Sequence, residues 1–130
     1  TESSIMHGDP LPLEATVKTI TDGCFHNKGK MSRGMLIDVG RLVVVETDGI
    51  EILISERKHQ PYDLEIIRRV GISPEDKKII LVKSLAHFRA DYAPIAKEII
   101  EVDLPGVAAI NPRMIPYKNV LRPVYPLDEI

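Results

Sequence analysis

The chain has 130 residues, 44% of them hydrophobic and 28% charged, a balance that suits one soluble globular domain and excludes a disordered or fibrous chain. A formal charge of -2, with acids and bases interspersed, supplies no broad positive field, so nucleic acid and membrane lipid are not expected partners. No apolar run approaches the about 20 residues of a membrane helix, and the single Cys24 cannot form an internal disulfide; both fit a cytoplasmic protein.

In chain order, "LEATVKTIT" alternates as a strand, with Ala15, Val17 and Thr19 on one face and Glu14, Thr16 and Lys18 on the other. It ends at the turn pair Asp22-Gly23. "FHNKGKMSRG" reads as a loop whose Lys28, Lys30, Arg33 and glycine amides could hold an anion or simply form an exposed turn. "MLIDVG" is expected to add a strand to the meander that follows. In "RLVVVETDGIEILISE", Asp48-Gly49 separates two β-rich runs, which is a strong two-residue hairpin signal. That register sets Thr47 opposite Ile50, Val45 opposite Ile52 and Val43 opposite Ile54, one continuous apolar face that needs a cover.

The period changes in "PYDLEIIRRVG", where Leu64, Ile67 and Val70 share a helical face, Asp63 is the expected N-cap and Gly71 the stop. Ser73-Pro74 opens a further turn. "IILV" at 79–82 has no polar alternation and reads as a central strand covered on both faces. "EIIEVDL" returns to period two and ends at Pro105-Gly106, and the proline-rich tail reads as extended chain. The fold class expected is α+β: a mixed, mainly antiparallel sheet with a central hairpin and two or three short helices.

Polar chemistry gathers just past the 79–82 run, at Lys83, Ser84, His87 and Arg89. The end of a buried strand and the start of a helix leave backbone donors unpaired, which is where ligand crevices form. A helix from Leu85 would let Ser84 cap it and would set His87 one turn from Asp91, close enough to pair. Phe88, Tyr92, Ile95 and Ala96 follow a helical stripe that anchors it, and Pro94 breaks it near Ala93. No zinc-binding spacing, phosphate-binding loop or nucleophile motif is present, so no metal site and no catalytic residue is assigned within the chain.

Three stretches together, "DPLPLEATVKTITDGCFHNKGKMSRGMLIDVGRLVVVETDGIEILISERKHQPYD", "VKSLAHFRADYAPIAKEIIEVDLPG" and "RPVYPLD", resemble the C-terminal domain of the microcystinase C (MlrC) type metallopeptidase family. The resemblance implies that the chain, 1–130, is a single domain forming the larger part of the C-terminal domain of a longer hydrolase of peptide or amide bonds. Zinc would then be held by a large N-terminal domain absent from these residues, so the chain is expected to be inactive alone. Lys83, Ser84, His87 and Arg89 match the family motif, and Arg57 and Gln60 in "SERKHQPYD" fall on a second polar signature. These six are the expected substrate-cleft or interface residues. The expected partners are the N-terminal catalytic domain, a peptide or amide substrate and further copies in a homo-oligomer; the alternative is an oligomerisation or interaction module with no direct catalytic role.

Overall fold

A computed structural model describes residues 9–103 and 111–129. The chain divides into two compact units, Leu13–Ile99 and the terminal stretches Thr1–Pro12 with Ile100–Ile130. The architecture is α+β, with antiparallel sheets and short helices. Among the described residues no helix is long and apolar enough to cross a membrane.

In the first unit, strands β1 (Thr16–Thr21), β4 (Leu42–Thr47) and β5 (Ile50–Ser55) form a three-stranded antiparallel sheet in the order β1-β4-β5. The hairpin forms as its sequence dictates: Thr47 pairs with Ile50, Val45 with Ile52 and Val43 with Ile54. Its loop residues Asp48 and Gly49 take φ of 49° and 78°, the positive values a type I′ turn requires. β1 departs from strict alternation. Its register slips between Val17 and Thr19, a β-bulge that sets Val17 opposite Val45 and Ile20 opposite Val43, so Thr19 does not share a face with Val17.

β2 (Cys24–His26) and β3 (Leu36–Asp38) pair with each other in a separate two-stranded sheet. The expectation that "MLIDVG" joins the hairpin meander is therefore corrected. β4 already has both neighbours in β1 and β5, and the loop from 27 to 35 folds β3 back onto β2 through Asn27 N–H to Met35 O (3.0 Å) and Gly34 N–H to Asn27 O (2.8 Å).

The core is built from Phe25, Val39, Leu42, Val44, Ile66 and Val70, with Leu53 and Ile67 packed against it. Leu42 is 0% exposed and Val44 1%, so each contributes about 1.5–3 kcal/mol relative to an exposed position. Helix α1 (Glu65–Arg68) is a single turn that places Ile66 in this core, and Gly71 ends the segment at φ of 82°. Asp63 acts one position earlier than expected: Leu64 is the N-cap, and the Asp63 carboxylate accepts from Glu65 N–H at 2.9 Å.

Helix α2 (Arg89–Tyr92) is shorter than the sequence suggests, a single turn starting after Phe88 and closed before Pro94. The 79–82 run is not a strand. Ile79 and Leu81 are 87% and 92% exposed, and no backbone ladder includes them. An all-apolar strand is stable only with neighbours on both edges and layers on both faces, and the described residues supply neither. Residues 98–103 likewise form no strand; Leu104 and the Pro105-Gly106 stop lie outside the described residues.

In the second unit the described part of the proline-rich tail is folded into turns, not extended. Residues Pro112–Met114 make a 3₁₀ turn capped by the Asn111 side chain, which accepts from Arg113 N–H at 3.0 Å. Asp128 collects the Arg122 guanidinium (Nε to Oδ2, 2.6 Å) and Val124 N–H (2.7 Å).

Candidate functional site

The loop after β5 begins with two backbone bonds to the end of β3 and start of β4: Glu56 N–H to Arg41 O (3.0 Å) and Arg57 N–H to Val39 O (2.9 Å). Arg57 adds an ion pair to Asp38 at 2.5 Å. Together with the Gly40 amide, the larger influence, that guanidinium holds the Asp38 carboxyl below its ordinary range. Arg57 thus fixes the base of the loop. Further along, His59 packs edge-on against Phe25 with ring centroids 6.3 Å apart, and burial pushes its imidazole below the ordinary value despite the opposing charge of Asp63.

So held, the loop presents Gln60 to the segment that leads into α2. Gln60 Nε2 donates to Ser84 Oγ at 3.0 Å, and its Oε1 lies 3.2 Å from His87 Nδ1. With the amide nitrogen donating to the serine, Oε1 is the acceptor and Nδ1 carries the hydrogen in the neutral ring. That leaves Nε2 as the unprotonated, hydrogen-bond-accepting nitrogen. Both Gln60 and His87 are exposed, so this Nε2 is available to a ligand.

Of the six residues singled out by sequence, the structure joins three, Gln60, Ser84 and His87. Lys83 stands exposed between them in sequence. Arg89 lies 5.5 Å above the Phe88 ring, a cation–π arrangement, and Arg57 serves the loop base. Two local expectations are corrected: Ser84 does not cap α2, whose N-cap is Phe88 with no side-chain bond, and His87 pairs with Gln60 instead of Asp91. Because α2 begins only at Arg89, His87 precedes it and the one-turn spacing to Asp91 does not apply. Asp91 Oδ2 instead accepts from Leu64 N–H at 3.2 Å.

Behind this corner is a polar cluster that sequence reasoning missed. Asp63, 2% exposed, accepts from Gly29 N–H at 2.8 Å as well as from Glu65 N–H. Asn27, 1% exposed, donates to Ser32 Oγ at 2.6 Å and to the Tyr62 hydroxyl at 3.3 Å. Gly29 sits so close that a Cβ there would lie 2.3 Å from the Asp91 carboxylate. In the loop that could hold an external anion or form an exposed turn, Lys28, Lys30 and Arg33 are exposed, Gly29 N–H is taken by Asp63, Lys28 pairs with Glu65 (2.9 Å) and Arg33 Nε donates to Lys28 O (3.2 Å). The available signal was the chain's own carboxylates, which the glycine-and-lysine loop needed as partners. Among the described residues no group of three or more His, Cys, Asp or Glu side chains is placed to hold a metal.

The family model described as MlrC C-terminus matches residues 1–119. The chain belongs to this family. A curated member-like relative, "Microcystinase C" of Sphingomonas sp., is 28% identical over 120 residues, covering 92% of this chain and 22% of that protein. The crystal structure of a "Putative metallopeptidase" from Mesorhizobium sp. BNC1 superposes with a TM-score of 0.75 at 27% identity, covering 89% of this chain and 23% of that one. This MlrC C-terminus chain therefore spans between a fifth and a quarter of the length of either relative.

Proposed function

We propose that this MlrC C-terminus chain serves a metal-dependent peptide or amide hydrolase as a noncatalytic region, its Gln60–Ser84–His87 corner lining the substrate cleft. The observation that carries the reading is the hydrogen-bonded joining of two separate polar signatures into one exposed group. The metallopeptidase likeness of the Mesorhizobium structure supports the reaction class.

On this reading the metal and the bond-breaking step belong to polypeptide outside the described residues. What this chain contributes is recognition. His87 Nε2 accepts a hydrogen bond from a substrate amide N–H, and Gln60 fixes the ring that presents it. Lys83, exposed and next to Ser84 in the chain, adds positive charge suited to a substrate carboxylate.

The test is kinetic, in a family-length protein carrying this region. His87→Ala and Gln60→Ala are each expected to lower kcat/KM about 10- to 100-fold, as misplacement of a substrate contact does, with metal content and melting temperature unchanged. Gln60→Glu, which keeps an acceptor for Nδ1–H, should retain more activity than Gln60→Ala. Wild-type kcat/KM in both alanine variants would confine the corner to a structural role.

A further inference from the structure

Within the Leu13–Ile99 unit the β1-β4-β5 sheet is apolar on both faces, and among the described residues of that unit only one face is covered. On the covered face Leu42 and Val44 enter the core. On the other, the pairing aligns two complete rows across the three strands, Ile20-Val43-Ile54 and Val17-Val45-Ile52. Val17, Ile20 and Ile54 are 56%, 64% and 51% exposed, and Ile50 beside the turn is 61% exposed. A shallow depression of about 360 Å³ opens among Ile20, Val43 and Ile54. Arg41 and Glu56 close its edge with an ion pair at 3.2 Å. An apolar floor with a paired, charged rim is the anatomy of a buried protein interface.

We propose that this outer sheet face is the docking surface for an apolar layer of the same polypeptide, contributed by the part of a family-length protein that precedes the MlrC C-terminus. Two observations select that occupant. The relatives are more than four times as long as the matched region, which covers 22% and 23% of them, so a tethered partner is present at the high effective concentration that linkage confers. The aliphatic side chains on the face are also far fewer than the about 20–30 residues per side of a free-standing interface, which disfavours a second copy held by this face alone. Ile79 and Leu81, 87% and 92% exposed on the same unit, are further apolar side chains that a larger polypeptide would cover. The proposal rests on family membership and stands apart from the cleft reading, because its test reads accessibility and not turnover.

Ile54→Cys, and separately Ile20→Cys, are placed in a Cys24→Ser background, since Cys24 is itself exposed. Each is labelled with a thiol reagent in the 130-residue chain and in a family-length protein, with circular dichroism verifying that the variants fold. Labelling is expected to be fast in the chain alone and about 100-fold slower in the longer protein, where it must wait for local opening. Equal rates in the two would overturn the proposal. Slow labelling in the chain alone would also overturn it, assigning the face to a second copy if light scattering gives a dimer mass, and to the chain's own remaining residues if it gives a monomer.

Discussion

Tyr92 is 5% exposed, and its hydroxyl has no hydrogen-bond partner among the described residues. Burial, with added repulsion from Asp63 and Asp91, raises its ionisation far above the ordinary range, so the group stays neutral and idle. An unpaired buried hydroxyl costs desolvation with nothing returned. Tyr92→Phe, which keeps the ring packed 6.2 Å from Phe88, should therefore leave stability unchanged or raise it by up to about 1 kcal/mol in urea titration. Asp63 is the opposite case, since its carboxylate satisfies the amides of Gly29 and Glu65 from within the buried cluster. Asp63→Ala should cost about 2–3 kcal/mol in the same titration, because charged hydrogen bonds are lost and amides are left buried. A loss under 0.5 kcal/mol would mean that water reaches both amides.

Elements with local causes were legible in the sequence, and elements defined by distant neighbours were not. The Asp48-Gly49 hairpin came out residue for residue, because its turn geometry and its pairing are both set within sixteen positions. The 79–82 run has the composition of a central strand, but composition cannot supply the flanking strands that make one, and Leu81 stands 92% exposed. The candidate site follows the same division. Lys83, Ser84, His87 and Arg89 stand out as polar groups just past an apolar run and Arg57 and Gln60 through the resemblance alone, while the amide bridge from Gln60 to both Ser84 and His87 spans up to 27 positions and leaves no periodic trace. The contrast between strands is measurable. Leu42→Ala, at a position 0% exposed within β4, should cost about 2–5 kcal/mol. Leu81→Ala in the 130-residue chain should fall within about 0.5 kcal/mol of wild type, and a loss above 2 kcal/mol would show that the run is buried in solution.

At the scale of the whole molecule, acid stability should fall in two stages, and the sign of each follows from where the proton binds. Burial favours neutral His59 in the folded chain, so the unfolded state binds the proton more tightly. Stability from this group is complete above the unfolded value of about 6.5 and declines as pH drops through the interval down to the lowered folded value. The exposed carboxylates behave differently. Asp22 is held low first by Arg69, Asp38 first by the Gly40 amide and Glu56 first by the Arg41 amide. Each therefore favours the folded state above its ordinary value near 4 and loses that advantage only as pH falls further. Melting temperature followed from pH 8 to pH 3 should accordingly show an upper decline beginning near 6.5 and a lower one beginning near 4. His59→Phe keeps a ring between Phe25 and Tyr62, whose centroids lie 6.3 and 5.6 Å from the imidazole, and removes the titrating group. Its upper decline should flatten while the lower one persists, and an upper decline of undiminished size in that variant would assign it to another group.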